Sequence, residues 1–435
     1  MSHSRGLDIS YIILYHDFVI MFAFLNKICH DINMERCRKK LTEAKRNLYL
    51  VMSESAVTAG LMAMSVLTPF FNSVGLNNEQ ISLTQIVFTV FVMILNIPTG
   101  YIADRISRKW ANIIGDFGHG FLFIAYAFTN NFLGIVICES LIGVMSALSN
   151  GVDQSLLKHF SGKLAKETGV SEGRILKSKT AKLTLYQQIC SMVLLALGGP
   201  IGAIDLRLAI ALSSVNQFVG GIISIFIKDD SEKLVPVHKN PAKDMLRVIK
   251  TALKSAPLRL RLFAYAIGRE ATHGIIWIVT PVFMQAGVPL SLVSLAWVFN
   301  SGMCMVGAYL ASKFSHKLTD SQIFVIPIIM VTVSMLVMGI NINIITVWFY
   351  GLMGITNGWT ASTLSPMLQK HAKPSEQTSV ISFAQVLANL VYIPVVWVVG
   401  FMSDIRLEYG LLAVVVMFLP IGLLITRKLK TQNDI

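Results

Sequence analysis

Long, continuous apolar runs, each near the length of a membrane-spanning helix, recur from residue 48 to residue 426 of this 435-residue chain. A helix needs about 20 mostly apolar residues to cross a bilayer. The runs are continuous rather than alternating, which excludes a transmembrane β-barrel. Only 14% of the residues are charged, whereas soluble domains carry roughly 25%. The sequence therefore predicts an all-α polytopic protein embedded in the lipid bilayer.

The apolar runs divide into twelve predicted spans, arranged as two groups of six. A polar segment at 228–258 separates the groups and is interpreted as a cytoplasmic linker. We therefore expect a six-helix bundle at 48–227, a second bundle at 259–427 and a short cytoplasmic tail at 428–435. The predicted spans are 48–73, 79–101, 111–129, 132–157, 180–203, 207–227, 260–286, 290–313, 321–340, 343–367, 378–402 and 407–426.

Lys and Arg are concentrated in alternate loops. Neither residue occurs in the turns 74–78, 129–131, 287–289 and 340–343, whereas the loops at the opposite ends of the spans are basic. Because Lys and Arg collect in cytoplasmic loops, we expect both termini in the cytoplasm and the chain in the cytoplasmic (inner) membrane. The net charge of +13 reflects this bias, so we expect no nucleic-acid partner.

The first 47 residues fit neither predicted bundle. The apolar stretch Tyr11–Leu25 is interrupted by His16 and Asp17, and it is too short and too polar for a span. It also lacks the basic start and the cleavage site of a signal peptide. Two interpretations stay open: a cytoplasmic or interfacial extension, or a start codon assigned too early, with translation beginning at Met34.

Motifs of enzymes and of metal sites are missing from the sequence. The five cysteines form no C-x-x-C pair, so neither a disulfide framework nor a metal site is predicted. The chain also lacks G-x-x-x-x-G-K-[ST], H-E-x-x-H and G-x-S-x-G motifs. We therefore expect no enzyme, no cofactor and no ATP-driven pump in this chain.

The two halves of the chain are related by an internal repeat. Three short segments of the first half recur in the second half, in the same order and at similar separations, which indicates two homologous halves. Many secondary transporters build a central site from such repeats. The matching segments are Gly100–Lys109 with Ala308–Lys317, Asn150–Gly151 with Asn357–Gly358, and Asp205–Leu208 with Asp404–Leu407.

One of these segments resembles a family signature. The G-x-x-x-D-R-x-x-R-[RK] signature of the major facilitator superfamily is matched at Gly100, Asp104, Arg105, Arg108 and Lys109, between spans two and three. The resemblance covers about residues 48–430. It implies twelve transmembrane helices in two pseudo-symmetric six-helix bundles and a small-molecule substrate in a midplane cavity. It also implies alternating access, and we expect a monomer.

The signature further implies a conformational latch near the cytoplasmic face. Gly100 allows two helices to approach closely, and Asp104 would accept hydrogen bonds from the N-terminus of span eleven. Arg108 would pair with Asp153 near the cytoplasmic end of span four. Such a cluster holds one conformation and releases in the other. The alternative is that the basic residues of the signature only follow the positive-inside distribution.

Few ionisable residues lie at bilayer depth, where they are costly and usually face a cavity or one another. They include Glu54 in span one, Glu139 in span four, and Arg269, Glu270 and His273 in span seven. Arg269 needs an acidic partner or an anionic ligand, and the three glutamates are the available partners. We hypothesise that one glutamate carries the coupling proton. The alternative is a fixed ion pair that only locks the helix register.

Uncharged polar residues within the spans are further candidates for the substrate cavity. We single out Gln187, Asn357 and Gln385, although some of these amides can instead join helices. Amides, aromatic residues and abundant Met suit a small amphipathic organic solute better than a dense phosphate ester, which would require several basic residues. Asp116 is a weaker candidate, because it could lie near the cytoplasmic end of span three.

Together these features predict a secondary active transporter for a small organic solute, with protons as coupling ion and export as direction. Gly198–Gly202 resembles part of the glycine-proline motif of proton-driven drug exporters, which favours export. Glu139, however, stands where the span-four motif of those exporters has Arg, which argues against multidrug export. Two alternatives stay open: proton-coupled uptake of a metabolite, and a transporter-like receptor that moves nothing. The sequence does not identify the substrate.

Overall fold

The computed structural model describes residues 42–228, 250, 252–372 and 377–433, except for the side chains of 96–106, 378–379 and 433. We number the α-helices in chain order. The helices of the first half are α1 Glu43–Thr58, α2 Leu67–Ser73, α3 Asn78–Ile106, α4 Arg108–Ala127, α5 Phe132–Ser149, α6 Val152–Thr168, α7 Glu172–Ile204 and α8 Leu206–Ile225. The helices of the second half are α9 Ala256–His273, α10 Val279–Gln285, α11 Leu290–Phe314, α12 Asp320–Ile340, α13 Tyr350–Gln369, α14 Gln377–Ile405 and α15 Leu407–Asn433.

Each of the twelve predicted spans is occupied by helix, but three of them are interrupted. Span one consists of α1, a 3₁₀ turn at Met62–Ser65 and α2, and span seven consists of α9 and α10. Span four divides into α5 and α6, because Asn150 is extended and Gly151 has a left-handed φ of 77°. This left-handed conformation is readily available only to glycine.

Nine helical segments of the described residues are long and apolar enough to cross a membrane, as judged by length and composition. Three predicted spans are not among these nine segments. They are span three, which is α4, span seven, which is α9 with α10, and span ten, which contains α13. These helices carry Asp116, the Arg269–Glu270 pair and Asn357, respectively. Polar groups at bilayer depth thus help to explain why these three spans fall below the apolar threshold, although span one and span four pass it with Glu54 and Glu139.

The fold comprises two compact units, which largely follow the two halves of the sequence. Among the described residues, the first unit comprises 42–70, 94–228 and 290–298, and the second comprises 71–93, 250, 252–289, 299–372 and 377–433. The first part of α3 thus belongs to the second unit, and the first part of α11 belongs to the first unit. These two helices are spans two and eight, which the internal repeat aligns with each other.

The core of the first unit is formed where α1, α6 and α7 pack together. Leu48 and Val51 of α1 are fully buried, as are Leu156 and Phe160 of α6, and Leu183 of α7 is buried against them. Side chains that close-pack in this way hold their helices in a defined register. This core lies next to a cluster of polar side chains on the same helices, which is described below.

The predictions for residues 1–41, for most of the 228–258 linker and for the end of the 428–435 tail concern residues outside the described part of the chain.

Candidate functional site

The interruptions of spans one and seven stand at corresponding positions of the two halves. Each follows a helix whose last turn carries a glutamate, Glu54 in α1 and Glu270 in α9. Both glutamates are buried. Discontinuous helices at matching positions of a repeat are the places where transporters commonly form their binding sites. The two helix ends therefore mark the candidate site in each unit.

The second unit contains a cavity of about 350 Å³ beside the end of α9. Three of the residues predicted from the sequence line it, namely Arg269, His273 and Asn357. The sequence did not predict Tyr265, Cys304, Thr360, Ala361, Leu364 and Ser365, which complete the lining. Helical spacing offers a signal for Tyr265, because Tyr265, Arg269 and His273 are four residues apart and so share one face of α9.

Arg269 points its charge towards this cavity, while its acidic neighbour is covered. The Arg269 Nε lies 3.5 Å from Glu270 Oε1, and the exposed fractions of the two side chains are 38% and 5%. Arg269 Nη1 lies 3.4 Å from the Tyr265 hydroxyl. His273 contacts both partners, with Nδ1 2.9 Å from the Arg269 carbonyl oxygen and 3.8 Å from Glu270 Oε2. Of the three acids named by the sequence, the structure places Glu270 beside Arg269.

Asn357 joins the helices that surround the cavity. Its Oδ1 accepts a hydrogen bond from the Thr272 hydroxyl of α9. At the next residue, Gly358, a Cβ atom would overlap the backbone carbonyl of Cys304, so glycine allows α13 to approach α11 closely. In the first half the equivalent pair interrupts a span, so the two copies of Asn-Gly have different structural roles.

The first unit contains a second buried polar cluster, formed by three carboxylates from three helices. Glu54 of α1 interacts electrostatically with Asp116 of α4 and with Asp153 of α6. Thr58 and Gln187 belong to the same cluster: the Thr58 hydroxyl lies 3.5 Å from Glu54 Oε1, and Gln187 extends a hydrogen-bond chain that ends at Asp153. Within the described residues, Glu54 Oε2 and Asp116 Oδ2 are buried without a hydrogen-bond partner.

That hydrogen-bond chain runs from α7 through α1 to α6. Gln187 Nε2 donates to Ser55 Oγ over 2.9 Å, and Ser55 Oγ donates to Asp153 Oδ2 over 2.6 Å. The amide of Asn112 also lies beside Glu54 and Asp153. Asp153 thus contacts Ser55 and the carboxylate cluster. The pairing of Asp153 with Arg108 stays a prediction of the sequence.

The predicted latch lies only partly within the described residues. The side chains of Asp104 and Arg105 and the surroundings of Gly100 are outside them. Lys109, near the start of α4, donates through Nζ to the Ile225 carbonyl oxygen at the end of α8, over 2.7 Å. This bond joins a cation to a helix C-terminus, where the helix dipole favours positive charge.

The two remaining candidates lie away from these clusters. Glu139 of α5 is buried and accepts a 2.8 Å hydrogen bond from the Tyr126 hydroxyl of α4. Gln385 of α14 is exposed and does not line the cavity. Among the described residues, no group of three His, Cys, Asp or Glu side chains is arranged to hold a metal ion.

Comparisons with known proteins agree with this architecture. Residues 50–396 match the family model of the Major Facilitator Superfamily. Among solved structures, a variant of the nucleoside transporter NupG has a TM-score of 0.74 at 10% identity, over 88% of this chain and 99% of that chain. A bacterial homologue of the human lysosomal transporter Spinster, inward-facing and occupied, has a TM-score of 0.68 at 12% identity, over 88% and 96% of the two chains. No curated protein sequence matches this chain.

The solved structures establish the fold, and the family match covers most of the chain. The protein is therefore a multi-pass membrane transporter of small molecules, not an enzyme. Its two-unit helical architecture, its internal repeat and its signature at Gly100–Lys109 agree with this assignment. The chain belongs to the major facilitator superfamily.

Proposed function

We propose that this protein exports a small organic solute across the cytoplasmic membrane by alternating access, and that the movement of protons drives the export. The observation that carries proton coupling is the buried carboxylate cluster of Glu54, Asp116 and Asp153. Three negative charges in one buried cluster would repel one another strongly. The cluster therefore holds at least one proton, which it can release when the surrounding helices rearrange.

The position of Glu54 links this proton to the transport cycle. Glu54 lies in the last turn of α1, immediately before the interruption of span one. A change in the angle between α1 and α2 alters the surroundings of Glu54 directly, while Asp116 and Asp153 stay on other helices. The protonation of the cluster and the conformation of span one are then linked, as proton-driven transport requires.

Glu270 is the second candidate for the coupling group. It occupies the equivalent position before the interruption of span seven, and Arg269 and His273 lie beside it. These neighbours offer a cation that can hold Glu270 ionised, which the Glu54 cluster lacks among its described contacts. We therefore assign the coupling proton to the Glu54 cluster and a supporting role at the cavity to Glu270.

The proposed topology follows the charge bias of the sequence. Both termini are cytoplasmic, the protein works as a monomer, and the basic loops lie on the cytoplasmic side of the inner membrane. Export is the direction favoured by the sequence, and uptake by symport is its competitor. The two directions differ in the sign of the proton flux that accompanies solute movement.

The test uses purified protein in liposomes that contain a pH-sensitive dye. A library of small organic acids, amines and neutral solutes is added under an imposed pH gradient, to the unmodified protein and to the Glu54→Gln variant. Glu167→Gln is the matched control, because Glu167 is an exposed acid on α6. We expect solute-dependent proton flux that is lost in Glu54→Gln and kept in Glu167→Gln. Transport without proton movement, or coupled flux that survives Glu54→Gln, would contradict the proposal.

A further inference from the structure

We propose that the cavity of the second unit binds the anionic group of a small organic anion through Arg269, an inference that rests on the transport function proposed above. The solute is thereby assigned to a chemical class. A carboxylate is the simplest group of this kind, because the planar guanidinium of Arg matches its two oxygens.

The distribution of charge at the end of α9 supports this assignment. Arg269 and Glu270 are sequence neighbours of opposite charge, so the pair as a whole is neutral. Arg269 lines the cavity and Glu270 does not, and the Glu270 side chain is only 5% exposed. The positive end of the pair therefore faces the cavity, and an incoming solute meets the guanidinium before the carboxylate.

Among the described residues, the hydrogen-bonding capacity of Arg269 is largely unused. A guanidinium has five N–H donors, and the two contacts that the structure gives Arg269 measure 3.4 and 3.5 Å. Charge-assisted hydrogen bonds are typically about 2.7–2.9 Å long. Both contacts are longer than that, so an anion in the cavity can compete for this side chain.

Arg261, two turns earlier on α9, shows what a structural arginine of this helix looks like. Its Nε and Nη2 both lie 2.7 Å from Asp320 Oδ2. Its side chain is 3% exposed, and Nη1 reaches the Pro257 carbonyl and Gln432. Arg261 is paired at short distance and covered, whereas Arg269 is loosely paired and open to a cavity. The contrast assigns Arg261 to stability and Arg269 to a ligand.

The size and lining of the cavity restrict the anion further. A volume of about 350 Å³ is at the lower end of the roughly 300–1,000 Å³ typical of ligand pockets. Hydroxyl and amide groups of Tyr265, Thr360 and Asn357 can orient a solute, and Ala361 and Leu364 provide an apolar wall. One arginine with this lining suits an organic anion of low charge better than a polyphosphate.

The structure also provides a reporter for the test. Cys304 lines the same cavity and is a free cysteine. In a variant whose other four cysteines are replaced, the labelling rate of Cys304 measures which charge the cavity admits. The probes are two methanethiosulfonates of similar size, one with a sulfonate and one with a trimethylammonium group. Their reaction with 2-mercaptoethanol corrects for the intrinsic reactivity of each reagent.

At low ionic strength, we expect the sulfonate reagent to label Cys304 about tenfold faster than the trimethylammonium reagent, after correction, because a charged cleft concentrates counter-ions by roughly 10-fold or more. Arg269→Gln should abolish this preference, and Arg269→Lys should keep most of it. Lys313→Gln is the matched control, since Lys313 is an exposed cation on the same helix as Cys304. Benzoate should slow labelling more than benzyl alcohol, and only while Arg269 is present.

Three results would overturn the inference: equal labelling by the two reagents, a preference that survives Arg269→Gln, or a Cys304 that neither reagent reaches. None of these readouts depends on proton movement. If the cavity is unselective but transport is proton-coupled, the inference of anion binding is wrong and the proposed function stands. If the cavity selects anions but transport is not coupled to protons, the inference of anion binding stands and the proposed proton coupling is wrong.

Discussion

The Asp404 carboxylate caps a helix that is distant from it in sequence: Oδ1 accepts from the backbone N–H of Asn78 over 2.7 Å, and Oδ2 accepts from that of Glu79 over 3.0 Å. Both N–H groups belong to the first turn of α3, where intrahelical partners are lacking and the helix dipole favours an anion. Trp397 strengthens the attachment, because its Nε1 donates to Glu79 Oε1 over 3.2 Å. In the second unit, the last turns of α14 therefore hold the start of α3.

Replacing Asp404 should release the first turn of α3. Loss of an N-cap typically costs about 1 kcal/mol, so Asp404→Ala should raise the local opening of Asn78 and Glu79 by several fold. Hydrogen–deuterium exchange of the peptide around 78–82 measures this opening directly. Asp205→Ala is the matched control, because Asp205 caps its own helix α8 through the N–H groups of Arg207 and Leu208. Unchanged exchange in Asp404→Ala would show that this carboxylate does not hold α3.

The contrast between Asp205 and Asp404 also shows why a sequence repeat does not predict which groups a side chain contacts. Both aspartates stand in a D-x-R-L segment, and the repeat aligns them. In the first copy α7 ends before Asp205, whereas in the second copy α14 continues to Ile405 and carries Asp404 in its last turn. A difference of this kind in a helix end redirects the side chain, and no local pattern in the sequence reports it.

Residues at the cavity were easier to predict than the partners of buried charges. The cost of ionisable groups at bilayer depth pointed to Arg269 and His273, and the repeat pointed to Asn357. The hydrogen bond between Ser55 and Asp153 depends instead on how α6 packs against α1, 98 residues away. Likewise, the pairing of Arg261 with Asp320 depends on how α9 packs against α12, 59 residues away.

The Arg261–Asp320 pair leads to a prediction about stability. Removing one partner of a buried ion pair leaves the other charge uncompensated, which costs about 3–5 kcal/mol. We expect Arg261→Met to lower the free energy of unfolding by that amount in detergent, and the double variant with Asp320→Leu to recover much of the loss. Arg259→Met provides the comparison, since Arg259 is exposed on the same helix and should change stability by less than about 0.5 kcal/mol. Equal effects of the two arginine variants would refute the structural role of Arg261.

The same cluster predicts a dependence of stability on pH. Burial lowers the pKa of His371 from its ordinary value of 6.5, and Arg261 acts in the same direction, while the hydrogen bond with Asp320 opposes them. Because the pKa is lower in the folded state, the unfolded state takes up its proton first as the pH falls through 6.5. Acidification below that value should therefore reduce stability.

The measurement is the melting temperature in detergent between about pH 8 and about pH 5, with the His371→Gln variant beside the unmodified protein. The unmodified protein should lose more stability than the variant. The difference should be below about 1 kcal/mol, because the His371 side chain is 28% exposed. Parallel curves for the two proteins would show that His371 does not contribute.

The last prediction concerns the packing that encloses the carboxylate cluster of the first unit. At Gly220 of α8, a Cβ atom would overlap the Thr58 methyl group and lie 3.4 Å from Asp116 Oδ2. Gly220→Ala must therefore push α8 away from α1 and α4, and overpacking of this kind typically costs about 1–3 kcal/mol. We expect a lower melting temperature and a weaker proton-coupled flux. Gly302→Ala on α11 is the control, because its Cβ would meet nothing within 4 Å and alanine is the better helix former. A Gly220→Ala protein that matches Gly302→Ala in both stability and flux would mean that the tight contact of α8 with α1 and α4 is dispensable for the cluster.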